Sequence, residues 1–276
     1  MVDVIINVYG KPWHTLCTLK SLMKYSIQHI DKIYFIIEKQ QPYNDTVEWV
    51  TKYFDNIITF TPDKYFFIIA KGDFSDESFR HNVRYQYGIE KSDKKFVFIT
   101  HNDVLYKDDV IGNMLDNIGN CAGIGQIGMC WNCPAVAHCN GDKYKTYKAD
   151  LDEVISISER NGYIRTLKNL NKEQLMPLPE CRLNEWACLI NREITVKECY
   201  PVNNTPLFGV YAADLGCPWF RSLVLKGYDF KNFNISKFCT HGYFAKFAGY
   251  PIQLNKSDYE RTELIAKQFY TENYDK

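Results

Sequence analysis

Over the first 118 residues, short apolar runs alternate with segments of helical periodicity, and few folds can use such a pattern. VDVIINV (Val2–Val8), KIYFIIE (Lys32–Glu38), NIITFTP (Asn56–Pro62) and KFVFIT (Lys95–Thr100) read as strands. Trp13, Leu16, Leu19, Leu22, Met23 and Ile27 recur at helical spacing between the first two. DTVEWVTKYF (Asp45–Phe54) predicts a second helix with Asn44 or Asp45 as its N-cap, and ESFRHNVRYQYGIEKS (Glu77–Ser92) a third. After the fourth strand, Asp108 or Asp109 can cap a helix carrying Val110, Ile111, Met114, Leu115 and Ile118. A β-α-β-α order predicts an α/β fold: a mostly parallel, twisted sheet with helices on both faces. Such sheets bind ligands beyond the carboxyl ends of their strands.

The fourth strand ends in an unusual way. Phe96, Val97, Phe98 and Ile99 are large and apolar, and the run then stops at His101, Asn102 and Asp103. This is either a solvated strand end or a carboxylate presented at the mouth of a site. The strand-end position favours the second.

At 276 residues the chain can bury a large core. Lys plus Arg balance Asp plus Glu at 33 each, so charge gives no pull toward nucleic acid or an anionic membrane. No apolar run nears the roughly 18 residues of a membrane span, and no secretory signal is visible. The expectation is a cytoplasmic protein without an integral membrane segment, at most peripheral to the inner membrane face. Its ten cysteines then read as reduced thiols or metal ligands. Cys130, Cys133 and Cys139, with Cys181 downstream, are suited to a structural Zn2+ site, the alternative being buried free thiols. Residues beyond 128 are less regular, with no repeat and no clean linker. One domain is the economical reading: a nucleotide-type half (1–128), a second-substrate half with the Cys-rich segment (129–255), and a C-terminal helix or tail (256–276).

Several segments together resemble the family-2-type glycosyltransferases of GT-A fold. VDVIINVYGKPWHTLCTLKSL looks like their opening strand, turn and helix, and IYFIIEKQQPYNDTVEWV like their second strand. RHNVRYQYGIEKSDKKFVFITHNDVLYKDDVIGNML is similar to their stretch through an Asp-X-Asp strand end. The likeness covers residues 2 to about 128, and 205 to 250 more loosely. It implies a nucleotide-diphosphate-sugar donor and a glycan or lipid-linked sugar acceptor. It also implies Mn2+ or Mg2+ to neutralise the departing diphosphate, which a strand-end carboxylate can hold.

On this resemblance Asp103 is the metal ligand, with His101 where the family's first acid stands and Asn102 neutral between them. His241 falls where related enzymes place a late histidine at the metal or diphosphate. Glu38 would accept a hydrogen bond from the imide N–H of a pyrimidine base, Asn7 and Tyr9 would flank the nucleoside, and Arg80 and Asn82 would approach the donor. AADLGCPWFRSLVLKGYDF resembles the family's Glu-Asp-X-Asp segment, making Asp214 the general base of an inverting transfer, with Ala213 in place of a second acid. Each residue also has an ordinary reading: a strand cap for Asp103, a solvated strand end for Glu38, solvated helix faces for Arg80 and Asn82, a structural hydrogen bond for His241, and an N-cap of a Leu215–Leu225 helix for Asp214. Arg182, Glu185 and Trp186 read as a sugar-binding lip or as a buried indole beside a surface ion pair. Two other functions stay open. One is a binder without turnover, suggested by His101 and Ala213; the other is a sugar-phosphate nucleotidyltransferase, which the lone glycine of NVYGKPWHT disfavours.

Overall fold

Period-two alternation along the strands sets the layers of this molecule. In β1 (Val2–Val8), Val2, Val4, Ile6 and Val8 pack into one apolar cluster and Ile5 into another on the opposite face. A computed structural model describes residues 1–64, 71–128, 133–135, 139, 141–148, 150–160, 176–243 and 255–275. After β1 come α1 (Pro12–Ser26), β2 (Ile30–Ile37), β3 (Ile57–Phe60), α2 (Glu77–His81), α3 (Gln86–Lys91) and β4 (Phe96–Thr100). Next are β5 (Val104–Tyr106), α4 (Val110–Ile118), β6 (Gly123–Ile127), α5 (Leu151–Arg160) and β7 (Leu183–Asn191). The chain continues with α6 (Arg192–Glu198), α7 (Cys217–Leu225), β8 (Phe230–Asn232), β9 (Cys239–His241) and α8 (Lys256–Asn273).

Seven strands form the main sheet in the order β3-β2-β1-β4-β7-β6-β8. Only the pairings that involve β7 are antiparallel. One face is covered by Leu16, Leu19 and Leu22 of α1, Val110, Ile111, Met114 and Ile118 of α4, and Tyr270 of α8. Ile89 of α3, Val154 of α5 and Trp219, Phe220 and Leu223 of α7 cover the other. The structure therefore has the expected α/β architecture, a mostly parallel sheet with helices on both faces.

Several local expectations are corrected. The Asp45–Phe54 helix is a short 3-10 segment, Glu48–Tyr53, without a side-chain cap. Asp45 instead accepts a hydrogen bond from Tyr259, and the β-branched Val47, Val50 and Thr51 favour helix weakly. The Glu77–Ser92 helix breaks into α2 and α3. Tyr85 adopts a left-handed conformation (φ 65°), and its N–H donates to Asn7 Oδ1 at 3.1 Å, so a tertiary bond overrides the periodicity. Asp109 does cap α4, accepting from Gly112 N at 3.0 Å.

Residues 256–273 form a helix that clamps the start of α1. Glu263 accepts from Trp13 N (2.8 Å) and His14 N (3.3 Å) and pairs with His14 Nδ1. A carboxylate on these first-turn N–H groups does what α1's own N-cap, Lys11, does not. Glu263→Ala is expected to cost about 2 kcal/mol in chemical denaturation, and a variant as stable as the parent would contradict the clamp.

Candidate functional site

The strand order fixes where a crevice opens. From β1 the sheet extends to β2 and β3 on one side, and β4 begins the other, so the C-terminal ends of β1 and β4 flank a topological switch point. Tyr9, Gly10 and Lys11 form one lip and His101, Asn102 and Asp103 the other. Asn102 Nδ2 joins them, donating to Gly10 O at 3.0 Å and Thr15 Oγ1 at 3.1 Å. Gly10 has φ 62°, and a Cβ there would lie 2.4 Å from Pro42 Cγ.

A small second sheet brings in the third component. β5 and β9 pair antiparallel with Val104 opposite His241, and Gly242 N donates to Asp103 O at 2.9 Å. His241 Nε2 thus lies 3.4 Å from Asp103 Oδ1 and 3.3 Å from His101 Nδ1, while His101 Nδ1 lies 3.9 Å from Asp103 Oδ1. The indole of Trp186 stacks on the His241 ring at 4.9 Å and 4°. Asp103 Oδ1 is buried and makes no hydrogen bond of good geometry. Three ligand atoms around an ion with bonds of about 2.1 Å stand about 3.0–3.5 Å apart. Two of the three separations already fit that geometry, and the third must close by a few tenths of an ångström. Two imidazoles and one carboxylate at these separations fit a divalent cation. Burial would push the Asp103 carboxyl up, but His241, His101 and the ammonium of Lys11 outweigh it and hold it well below the usual carboxylate range. Burial lowers the Lys11 ammonium, opposed by Asp103.

From His101 the polar contacts run on through β7. His101 N donates to Trp186 O at 3.0 Å, which sets its height against β7, and His101 Nε2 lies 3.4 Å from Glu185 Oε1. Burial would raise the Glu185 carboxyl, yet His101 and Arg182 draw it down to about 2. Arg182 in turn pairs with Asp214 and donates to Asn184 Oδ1 at 3.0 Å. Asp103, His101 and Glu185 therefore form one run of close contacts and Arg182 with Asp214 another, and Arg182 acts on Glu185 through its charge. Asp214 is the open end, with 31% of its side chain exposed against 3% for Asp103. It is not the cap of α7, which starts at Cys217 behind Gly216; its Oδ1 accepts from Leu215 N at 2.8 Å. Nor do Arg182 and Glu185 make a surface ion pair. Both are buried and each faces a different acid or imidazole.

The remaining expected site residues are placed as follows. Glu38 is not solvated: it is 3% exposed, accepts from Asn7 Nδ2 at 3.1 Å and lies 3.4 Å from Arg84 Nε. Tyr9 is buried beside them at the end of β1. Arg80 and Asn82 are buried in internal bonds. Arg80 pairs with Glu90 at 2.7 Å and donates to Phe74 O and Ser75 O, and Asn82 links Lys64 N to Ser78 O. Their polar groups are committed within the fold, so neither is a solvated helix-face residue. Cys130 lies outside the described residues. Cys133 and Cys181 are buried in the core and Cys139 packs against it, and among the described residues no cysteine belongs to a metal-sized group of ligands. Glu77, His81 and Glu90 do form a second such group, but Lys91 and Arg80 already neutralise its carboxylates. A cleft of about 470 Å³ between α1 and α8 likewise has Asp45 and Glu263 bonded to Tyr259 and His14. Among the described residues no helix is long and apolar enough to cross a membrane.

Sequence reasoning missed Lys11 and Arg84 and read Glu185 as part of a sugar-binding lip or of a surface ion pair. A lysine following Gly10 at the tip of β1 was the available signal for Lys11.

No protein-family model matches the chain, and no curated protein does. Solved structures match in part. The chain is similar to S. aureus TarS in complex with UDP-GlcNAc (12% identity, TM-score 0.35), over 46% of this chain and 35% of that one, about a third of its length. It is also similar to the mannosyltransferase PcManGT from Pyrobaculum calidifontis in complex with GDP-Man and Mn2+ (10%, TM-score 0.46), over 99% and 75% of the two chains. Mouse xyloside xylosyltransferase 1 overlaps 85% of this chain and 86% of its own at 13% identity and TM-score 0.45. These are partial overlaps of the fold, and they assign no role to any residue.

Proposed function

We propose that this chain is a glycosyltransferase that moves a sugar from a nucleotide-diphosphate donor to a glycan or lipid-linked sugar acceptor, assisted by a divalent cation. The observation that carries this reading is the cluster of His101, Asp103 and His241 at the tip of β4, beside the switch point between β1 and β4. His101, Asp103 and His241 would hold the cation, which when bound supplies positive charge to the departing diphosphate. Lys11, buried beside Asp103, adds a second fixed positive charge on the β1 lip. Asn7, Tyr9 and Glu38 shape the nucleoside end, with Arg84 Nε 3.4 Å from the Glu38 carboxylate. Asp214 orients the acceptor hydroxyl and takes its proton as the glycosidic bond forms, giving inversion. The second reading, a nucleotide binder without turnover, draws on the neutral Ala213 and on the single carboxylate of the metal centre.

The test is a panel of UDP-, GDP- and dTDP-sugars with Mn2+ or Mg2+, read as nucleotide release. Release with one donor, lowered at least about 10²-fold by Asp214→Asn, is the expected result. Mn2+-dependent nucleotide binding with no release from any donor would favour the binder.

A further inference from the structure

We infer that Glu185 is a positioning residue for the cation centre, one that fixes the ring orientation and tautomer of His101. The inference rests on the reading of His101, Asp103 and His241 as a metal site and extends it to a residue outside that set. Three observations carry it. The two nitrogens of His101 face different partners: Nδ1 points toward Asp103 and His241, and Nε2 toward the Glu185 carboxylate at 3.4 Å. That carboxylate is buried, and the charge of Arg182 favours its ionised form. Backbone pairing sets the register, because Thr100 lies opposite Ala187 and His101 N donates to Trp186 O. Glu185 thus occupies a place fixed by the sheet, and the imidazole must adjust to it.

A carboxylate accepts and cannot donate, so the nitrogen that faces it carries the proton. His101 is then the Nε2–H tautomer, and its Nδ1, which contacts His241 Nε2 at 3.3 Å, is the nitrogen left to meet an ion. A partner of this kind fixes the ring and raises the basicity of the ligating nitrogen. His241 has a different support, the stacked face of Trp186, which orients its ring without choosing its tautomer. Glu185 accordingly acts on one of the two imidazoles only.

The experiment uses the full chain and Mn2+ alone, titrated calorimetrically and by the electron paramagnetic resonance of the free ion. Glu185→Ala is expected to weaken Mn2+ binding about 10–100-fold. Glu185→Gln should keep much of the affinity, because its amide oxygen still accepts from Nε2–H. Long-range 1H–15N correlation on the unaltered, metal-free protein should show His101 protonated on Nε2; protonation on Nδ1 overturns the inference without any variant. A merely structural role would lower the melting temperature of both variants and leave the affinity of the folded protein unchanged. Equal Mn2+ affinity in the parent and in folded Glu185→Ala removes this inference alone. Failure of the parent to bind Mn2+ removes the metal reading and this inference with it.

Discussion

Asp103→Asn is expected to abolish Mn2+ binding and to lower nucleotide release about 10³-fold. Asp103 is the one anion among the three candidate ligands, so an amide leaves two imidazoles and a neutral oxygen around a dication. Charge neutralisation at a leaving diphosphate is worth several kcal/mol, and about 4 kcal/mol corresponds to about 10³ in rate. Asparagine keeps the shape of the side chain in a position 2% exposed, where alanine would open a cavity beside Lys11. The substitution also removes an acid that stabilises the Lys11 ammonium, whose other acidic neighbours, Glu263 and Asp258, remain. Some loss of thermal stability will accompany the loss of binding, and the assay belongs well below the variant's melting point. A folded Asp103→Asn protein that releases nucleotide at the parent rate would sink the proposed role.

Much of the fold was legible because the strands at the centre of the sheet are buried on both faces. β1, β2 and β4 accordingly read as near-continuous apolar runs, and the polar stop at His101 marks the strand end. The site was legible only as far as its local pieces. Asp103 and His241 are brought together by β5 and β9, strands of three residues each, too short to carry a periodic signal. β7 shows nine buried residues in a row, so alternation could not tell which face Glu185 takes. Its neighbours were hidden for a related reason. Arg182 and Glu185, three apart in sequence, look like partners for one another, yet Arg182 bonds Asp214 and Glu185 faces His101. The third predicted helix failed because its residues serve distant partners: Tyr85 turns to reach Asn7, and a Cβ on Gly88 would come within 2.9 Å of Ile5. Pairings across the fold decide such positions, and no local pattern encodes them.

The same pairings make Arg182 the most costly polar residue of the site to lose. Its guanidinium, 8% exposed, pairs with Asp214, donates to Asn184 and acts on the buried Glu185 carboxylate through its charge. Arg182→Met preserves much of the volume but leaves the buried Glu185 carboxylate, among the described residues, with the His101 imidazole at 3.4 Å and no guanidinium to offset its charge. Breaking a buried ion pair from one side costs about 3–5 kcal/mol, because a buried charge is left without compensation. Urea denaturation at neutral pH is expected to show a deficit of that size. Packing loss alone would produce some destabilisation, so the deciding measurement is the double variant Arg182→Met with Glu185→Leu. Removing both charges should recover a large part of the deficit, since a well-packed apolar pair can match a buried ion pair. Additive costs in the double variant would mean that the Arg182 charge does not act on Glu185.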